Sequence, residues 1–216
     1  MNDSIRLLYE VFADIRKPKD FPACECCLSD HQKRVLLNGE LSKLSAEELD
    51  PYVIAVFLTT GSVADFKYFL PRILELAIAD QFLWSAESVL GKLPMAGWNE
   101  WPERERVAVL RVLQEELTRL LKDEDSCPSS IDGWICALGC CVSDITPYLD
   151  QLLAVKHHLL SFVESNFAEL QDGELANTFW SHAPENKARV LAWLNSAEVR
   201  RVLSEEYGMV FPCEPD

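Results

Sequence analysis

Three residues near the N-terminus have the types and the spacing of zinc ligands. Two residues separate Cys24 from Cys27, and His31 follows shortly afterwards. Thiolate sulfur and imidazole nitrogen are preferred zinc ligands, and two cysteines at this spacing can bind one ion together. The sequence therefore offers a candidate metal site at Cys24, Cys27 and His31, with Cys26 in reserve and zinc as the candidate ion, although we favour a chain without a cofactor.

A structural zinc site needs a fourth ligand, and the nearby sequence does not identify one. Cys136, Cys140 or Cys141 could supply it if the fold brought them close. Alternatively, the N-terminal cysteines are half-buried thiols near a helix start, because free cysteine packs as a small apolar residue. A redox role is disfavoured, since no βαβ pattern surrounds the pair.

The familiar motifs of catalysis are missing from the sequence. It contains no phosphate-binding loop, no Gly-x-Ser-x-Gly elbow and no His-Glu-x-x-His. His157 and His158 are adjacent on a predicted helix, where neighbouring side chains point about 100° apart, so a shared site is disfavoured. The spacing of cysteine and histidine residues does not identify any cysteine as a nucleophile. The sequence leaves an enzymatic function open but favours a protein without catalytic activity.

A short aromatic and acidic segment is the candidate partner-binding site. Trp98 and Trp101 enclose Glu100, and Glu103 follows at the start of a predicted helix. Aromatic side chains in a loop can anchor a protein partner. The alternative, which we favour, is that both tryptophans fill the gap between helices, and that the carboxylates form an ordinary solvated face.

Composition and charge restrict the choice of partner and compartment. The formal net charge is −15, from 20 basic and 35 acidic residues, which disfavours nucleic acid and would suit a basic protein. Acidity for solubility alone is the simpler alternative. The sequence has no apolar run of about 18 residues, so no membrane span is predicted. The N-terminus does not resemble a secretory signal. Eight cysteines then indicate a reducing cytoplasm.

The hydrophobic pattern predicts an all-α protein. One helical stripe runs from Phe66 to Ile78 and a second from Val107 to Leu121. First helices of successive pairs are predicted near Ser45, Ser85, Ser130 and Gly173, at steps of about 40 to 45 residues, a period typical of HEAT-like repeats. We therefore expect a HEAT-like α-solenoid of antiparallel helix pairs, or alternatively an irregular helical bundle. One domain, 1–216, is predicted, with a soft boundary in the loop 122–130.

Several helix boundaries follow from local signals. Ser45 and Glu48 form a predicted capping box, and Asn38-Gly39 suits a left-handed cap. Pro51, Pro71 and Pro147 should each start or bend a helix. The longest helix is predicted from Pro147 to Leu170, and later helices at 174–181, 184–194 and 197–207, the last capped by Gly208.

Residues 58–72, together with Cys24–Cys27 and Gly97–Pro102, resemble a family of uncharacterised bacterial helical proteins. The resemblance covers the first half of the chain and implies a helical, intracellular bacterial protein, without any activity. Charge, helical pattern and missing motifs together predict a non-enzymatic module whose acidic surface recognises a basic protein, as an immunity protein or adaptor does. The alternative is a metal-stabilised or metal-dependent protein, which could be an enzyme, with its site at residues 24–31.

Overall fold

The computed structural model describes residues 3–208, and this part of the chain is helical, without a multi-residue strand. The prediction of an all-α protein is thus confirmed. Residues 209–211, an apolar run too short to predict a strand, lie outside the described residues. The helices are α1 (Asp3–Phe12), α2 (Asp30–Asn38), α3 (Ala46–Ala55), α4 (Val63–Ile78), α5 (Ala86–Leu90), α6 (Lys92–Met95), α7 (Glu103–Lys122), α8 (Pro128–Cys141), α9 (Thr146–Leu153), α10 (Lys156–Leu170), α11 (Pro184–Leu194) and α12 (Ala197–Tyr207).

Capping residues begin and end several helices, two of them at predicted positions. Ser45 and Glu48 form the predicted capping box of α3, in which each side chain bonds the other residue's backbone N–H. Ser29 caps α2 in the same way with Gln32. Gly208 ends α12 in the left-handed conformation, with φ +66°. These caps satisfy backbone groups that a helix end would otherwise leave unpaired.

The structure contradicts the predicted cap at Gly39 and decides the predictions for two prolines only in part. Gly39 is extended, with φ −62°, so the predicted left-handed cap of α2 is wrong. Helices α3 and α4 continue through Pro51 and Pro71, so neither proline starts a helix, and a bend at each stays a prediction. Each proline removes one backbone hydrogen bond, and the burial of both helices in the core offsets that loss. Pro147, in contrast, lies in the first turn of α9, as predicted.

The predicted long helix from Pro147 to Leu170 is divided in two. Helix α9 ends at Leu153, and Val155, with φ −116° and ψ 83°, leaves the helical region before α10 begins. The longest helix of the described residues is α7, with 20 residues. Within the predicted helix 174–181, only a 3₁₀ segment, Thr178–His182, is present.

The chain divides into two compact units, and the boundary lies within α7, between Glu116 and Leu117. In the first, α4 packs against α1 and α3, and α2 packs against α3. Phe21, Tyr52 and Phe69 form an aromatic cluster in this core, with ring centroids 4.9–6.2 Å apart. Phe21 lies three residues before the first cysteine of the cysteine-rich segment. Its burial therefore fixes the position of the chain that leads into that segment.

The second unit is organised around α8, whose residues are buried on nearly all faces. A helix that is apolar all round is typical of the centre of a bundle. Gly139 allows a close approach, because an added Cβ would lie 2.3 Å from the Trp180 ring. Buried Asn186 of α11 joins two helix ends: its amide donates to the carbonyls of Gly139 and Val142, and its oxygen accepts from the Ile145 N–H.

No helix among the described residues is long and apolar enough to cross a membrane. The expectation of one domain with a soft boundary at 122–130 stays a prediction.

Candidate metal centre

Three cysteine sulfurs meet at the surface of the first unit. The Sγ atoms of Cys24, Cys26 and Cys27 all lie within 4.8 Å of one another. Cys24 Sγ is 2.7 Å from Cys26 Sγ, which is in turn 3.7 Å from Cys27 Sγ. We call the segment Cys24–Cys27 the thiol turn. Within the described part of the chain, no other three histidine, cysteine or carboxylate side chains converge in this way.

The chain entering the thiol turn is held by a second segment more than thirty residues later. The Pro22 carbonyl accepts a hydrogen bond from the Gly61 N–H at 2.7 Å, and the Cys24 N–H donates to the Thr59 carbonyl at 3.1 Å. Ala23 forms an isolated antiparallel bridge with Thr60. These backbone contacts fix the position of Cys24 without help from any side chain of the turn.

The chain leaving the thiol turn is fixed as well. The Cys24 carbonyl accepts hydrogen bonds from the N–H groups of Cys27 and Leu28, both at 2.9 Å. Leu28 is buried in the core, and Ser29 caps α2 immediately afterwards. Since both flanks are fixed, the three sulfurs are brought together before any ligand binds, which lowers the entropic cost of binding.

Basic side chains fasten the loop that precedes the thiol turn. Lys33 of α2 forms an ion pair with Asp20 at 2.5 Å and lies 5.3 Å from the centre of the Phe21 ring. Lys17 donates to the Gly39 carbonyl, just beyond the C-terminus of α2. The loop is therefore joined to α2 by two lysines.

A buried lysine supports the segment that holds the thiol turn. Lys92 Nζ donates to the Ile54 carbonyl at 2.9 Å and lies 3.4 Å from the Val56 carbonyl, at the C-terminal end of α3. Burial lowers the pKa of Lys92, because a charged ammonium loses solvation there. The sequence analysis missed this residue, since nothing in the local pattern marks a lysine as buried.

The thiols perturb one another's protonation. The hydrogen bond with Cys26 lowers the pKa of Cys24, because it stabilises the Cys24 thiolate. The same contact raises the pKa of Cys26 to about 11, because a Cys26 thiolate would lie beside the other thiols. A metal ion replaces such shared protons with a stronger positive charge, so the thiols would be deprotonated on metal binding.

The other predicted ligands are arranged differently. His31 is exposed in the first turn of α2, and its ring nitrogens do not join the sulfur cluster. Cys26, predicted only as a reserve ligand, lies within it. Cys136, Cys140 and Cys141 belong to α8 in the second unit, where burial raises the pKa of the Cys141 thiol. The structure thus offers three sulfurs rather than two sulfurs and a nitrogen.

The predicted partner-binding segment divides between core and surface. Trp98 and Trp101 are 2% and 7% exposed, so both indoles fill the core of the first unit. Trp101 donates to the Ala96 carbonyl, and Lys67 Nζ lies 4.3 Å from its ring centre. This placement agrees with the gap-filling alternative. Glu100 and Glu103 are exposed, and only these two of the four remain available to a partner.

No protein-family model, no curated protein and no solved structure matches the chain. The thiol turn and the exposed carboxylates are therefore the features from which a function can be inferred.

Proposed function

We propose that the protein binds one thiophilic metal ion, with zinc as the first candidate, through Cys24, Cys26 and Cys27. The observation that carries this proposal is the convergence of three sulfurs within 4.8 Å on a turn fixed at both ends. Zinc–sulfur bonds of about 2.3 Å in tetrahedral geometry place neighbouring sulfurs about 3.8 Å apart. The Cys26–Cys27 separation of 3.7 Å already meets this requirement, and Cys24 would need to move by about 1 Å.

A bound ion would stabilise the first unit. It would join the start of α2 to the loop that Phe21 anchors in the core, and it would bind the folded chain more tightly than the unfolded one. The role proposed is therefore structural or metal-carrying rather than catalytic. Among the described residues, no histidine or carboxylate joins the three sulfurs of the thiol turn within 4.8 Å.

Metal analysis of protein purified without an affinity tag tests the proposal. We expect about one equivalent of zinc in the wild-type chain and a large loss in Cys26→Ser. Cys127→Ser is the matched control, because Cys127 is also an exposed cysteine but lies just before α8, outside the cluster. Less than about a tenth of an equivalent in the wild type, after incubation with zinc under reducing conditions, would refute metal binding.

A second candidate function is recognition of a basic protein by an acidic surface. The charge of −15 and the exposed Glu100 and Glu103 support it. Earlier in the same unit, Leu83 is 88% exposed and Trp84 is 44% exposed, and these side chains could add apolar contacts to an acidic rim. The protein would then be an immunity- or adaptor-like module of the cytoplasm, a location that the free thiols support.

The helical scaffold proposed for this module is a HEAT-like stack of antiparallel pairs or an irregular bundle. Contacts of α3 with α4, α9 with α10 and α11 with α12 support pairing of consecutive helices. In the second unit, however, α8 contacts α10, α11 and the segment 178–182, and such a central helix favours the bundle.

Affinity capture from the native host, followed by binding measurements at increasing salt, tests the second candidate. The charge predicts a stoichiometric basic partner whose affinity falls as salt rises. Glu100→Gln with Glu103→Gln should weaken binding, whereas the control pair Glu164→Gln with Glu198→Gln, exposed in the second unit, should not. Binding that is insensitive to salt and to the first pair would contradict the proposal.

A further inference from the structure

The thiol turn provides three ligands, while zinc normally takes four. Among the described residues, no imidazole or carboxylate of the chain joins the three sulfurs within 4.8 Å. Glu25, Asp30 and His31, the nearby candidates along the chain, are exposed and lie outside the cluster. Cys26 is exposed as well. A metal bound here would have a fourth coordination position that no described histidine, cysteine or carboxylate fills.

We infer that this metal site is open and takes an external thiolate as its fourth ligand. The inference rests on the proposed metal binding and deepens it by naming the ligand class. Three-ligand zinc sites keep water in the fourth position, in contrast to closed structural sites. A centre already bound by three thiolates is best matched by another soft donor, and thiolate sulfur is the soft donor that proteins and small cellular thiols provide.

The exchange is a simple ligand substitution. The sulfur of an external thiol forms a bond to the metal, the metal–water bond breaks, and the thiol proton passes to solvent. No electron is transferred, so neither oxidant nor reductant is required. Because the proton is lost, the external thiol should bind more tightly as the pH rises towards its own pKa of about 8.5.

The local charge near the thiol turn favours an anionic ligand. A divalent ion with three thiolates carries one negative charge, which would repel an incoming thiolate. The segment 16–34 contains five lysine or arginine residues and three acidic ones, a local excess of positive charge within a chain of net charge −15. Such an excess lowers the cost of adding a second negative charge. The consequence is a metal site able to bind the thiolate of a cysteine of another protein or of a small thiol.

Cobalt(II) substitution in the full-length chain provides the test. Sulfur-to-cobalt charge-transfer absorption follows the number of bound thiolates, and we expect three in thiol-free buffer. Adding 2-mercaptoethanol should raise this absorption by about one third, as a fourth cobalt–sulfur bond forms. A short peptide containing one cysteine should act likewise, and its serine counterpart should not. The relative concentrations needed distinguish a small thiol from a protein thiol as the preferred source.

Two results would overturn the inference while leaving metal binding intact. One is a four-thiolate spectrum before any thiol is added, which would mean that another cysteine, such as Cys213, closes the site. The other is a three-thiolate spectrum that does not change with thiol. Absence of cobalt binding would instead refute the proposed function itself. Cys127→Ser is the matched control and should respond as the wild type does.

Discussion

Gly61 is the residue whose substitution tests most sharply how the thiol turn is held. Its N–H donates to the Pro22 carbonyl at 2.7 Å, and its φ of +70° lies in the left-handed region. An added Cβ would lie 3.1 Å from the Tyr52 hydroxyl and 3.2 Å from Val56 Cγ2. Gly61→Ala should therefore strain the backbone and crowd two buried side chains at the same time.

The expected loss of stability has two parts. Left-handed backbone costs an ordinary L-residue about 1–2 kcal/mol, and overpacking of a core adds about 1–3 kcal/mol. Since the contacts are tight rather than impossible, we expect a total of about 2–4 kcal/mol. Gly97→Ala is the matched control in the same unit, because Gly97 has φ +62° but no atom within 4 Å of an added Cβ. It should lose only the backbone part, about 1–2 kcal/mol.

Hydrogen exchange followed by mass spectrometry measures the difference locally. Gly61→Ala should speed exchange in the segment 56–61 and in α3, while peptides of the second unit serve as the internal reference. Urea unfolding should show the larger midpoint decrease for Gly61→Ala than for Gly97→Ala. Equal effects of the two substitutions, or unchanged exchange near the thiol turn, would refute the proposed tertiary support.

Three further predictions concern buried polar groups. Asn186→Leu should destabilise the second unit by about 3–9 kcal/mol, because three backbone groups lose a partner at about 1–3 kcal/mol each. A urea midpoint unchanged from wild type would contradict this. Lys92→Met should lower stability by about 1–3 kcal/mol, because the Ile54 and Val56 carbonyls lose a charged donor; increased stability in urea would show that desolvation of the ammonium dominates. Burial lowers the pKa of His158, whose ring bonds the Asp123 carbonyl. The unfolded chain therefore binds more protons than the folded chain just below pH 6.5, and the free energy of unfolding should rise with pH through that window. His158→Gln should flatten this rise in thermal unfolding measured across the same range, and an unaltered slope would contradict the assignment.

The fold could be predicted where one short segment contains the whole signal. The bounds of α11 and α12 follow from Pro184, Ser196 and Gly208, whose side chains or backbone act within a single turn. The division of α9 from α10 could not be predicted, because Ala154 and Val155 are compatible with a helix and only the surrounding packing breaks it. Val107 illustrates the same limit: it continued the predicted stripe, yet it is 53% exposed.

The candidate site was predictable in residue type but not in arrangement. Cysteine spacing identified Cys24 and Cys27, because ligand chemistry depends on residues close in sequence. It could not identify Cys26 as a full member, since the sulfur positions depend on the Pro22–Gly61 and Cys24–Thr59 hydrogen bonds, which join distant parts of the chain. Asn186 was missed for the same reason, because its partners lie more than forty residues away.

X-ray absorption spectroscopy of the zinc-loaded protein tests the central claim most directly, because it counts the atoms bound to the metal. For the wild type in thiol-free buffer, we predict three sulfur neighbours at about 2.3 Å and one lighter oxygen neighbour. In Cys26→Ser, the sulfur count should fall to two, whereas Cys127→Ser should keep three. A zinc shell made only of nitrogen and oxygen, or a sulfur count that Cys26→Ser leaves unchanged, would contradict a metal centre at the thiol turn.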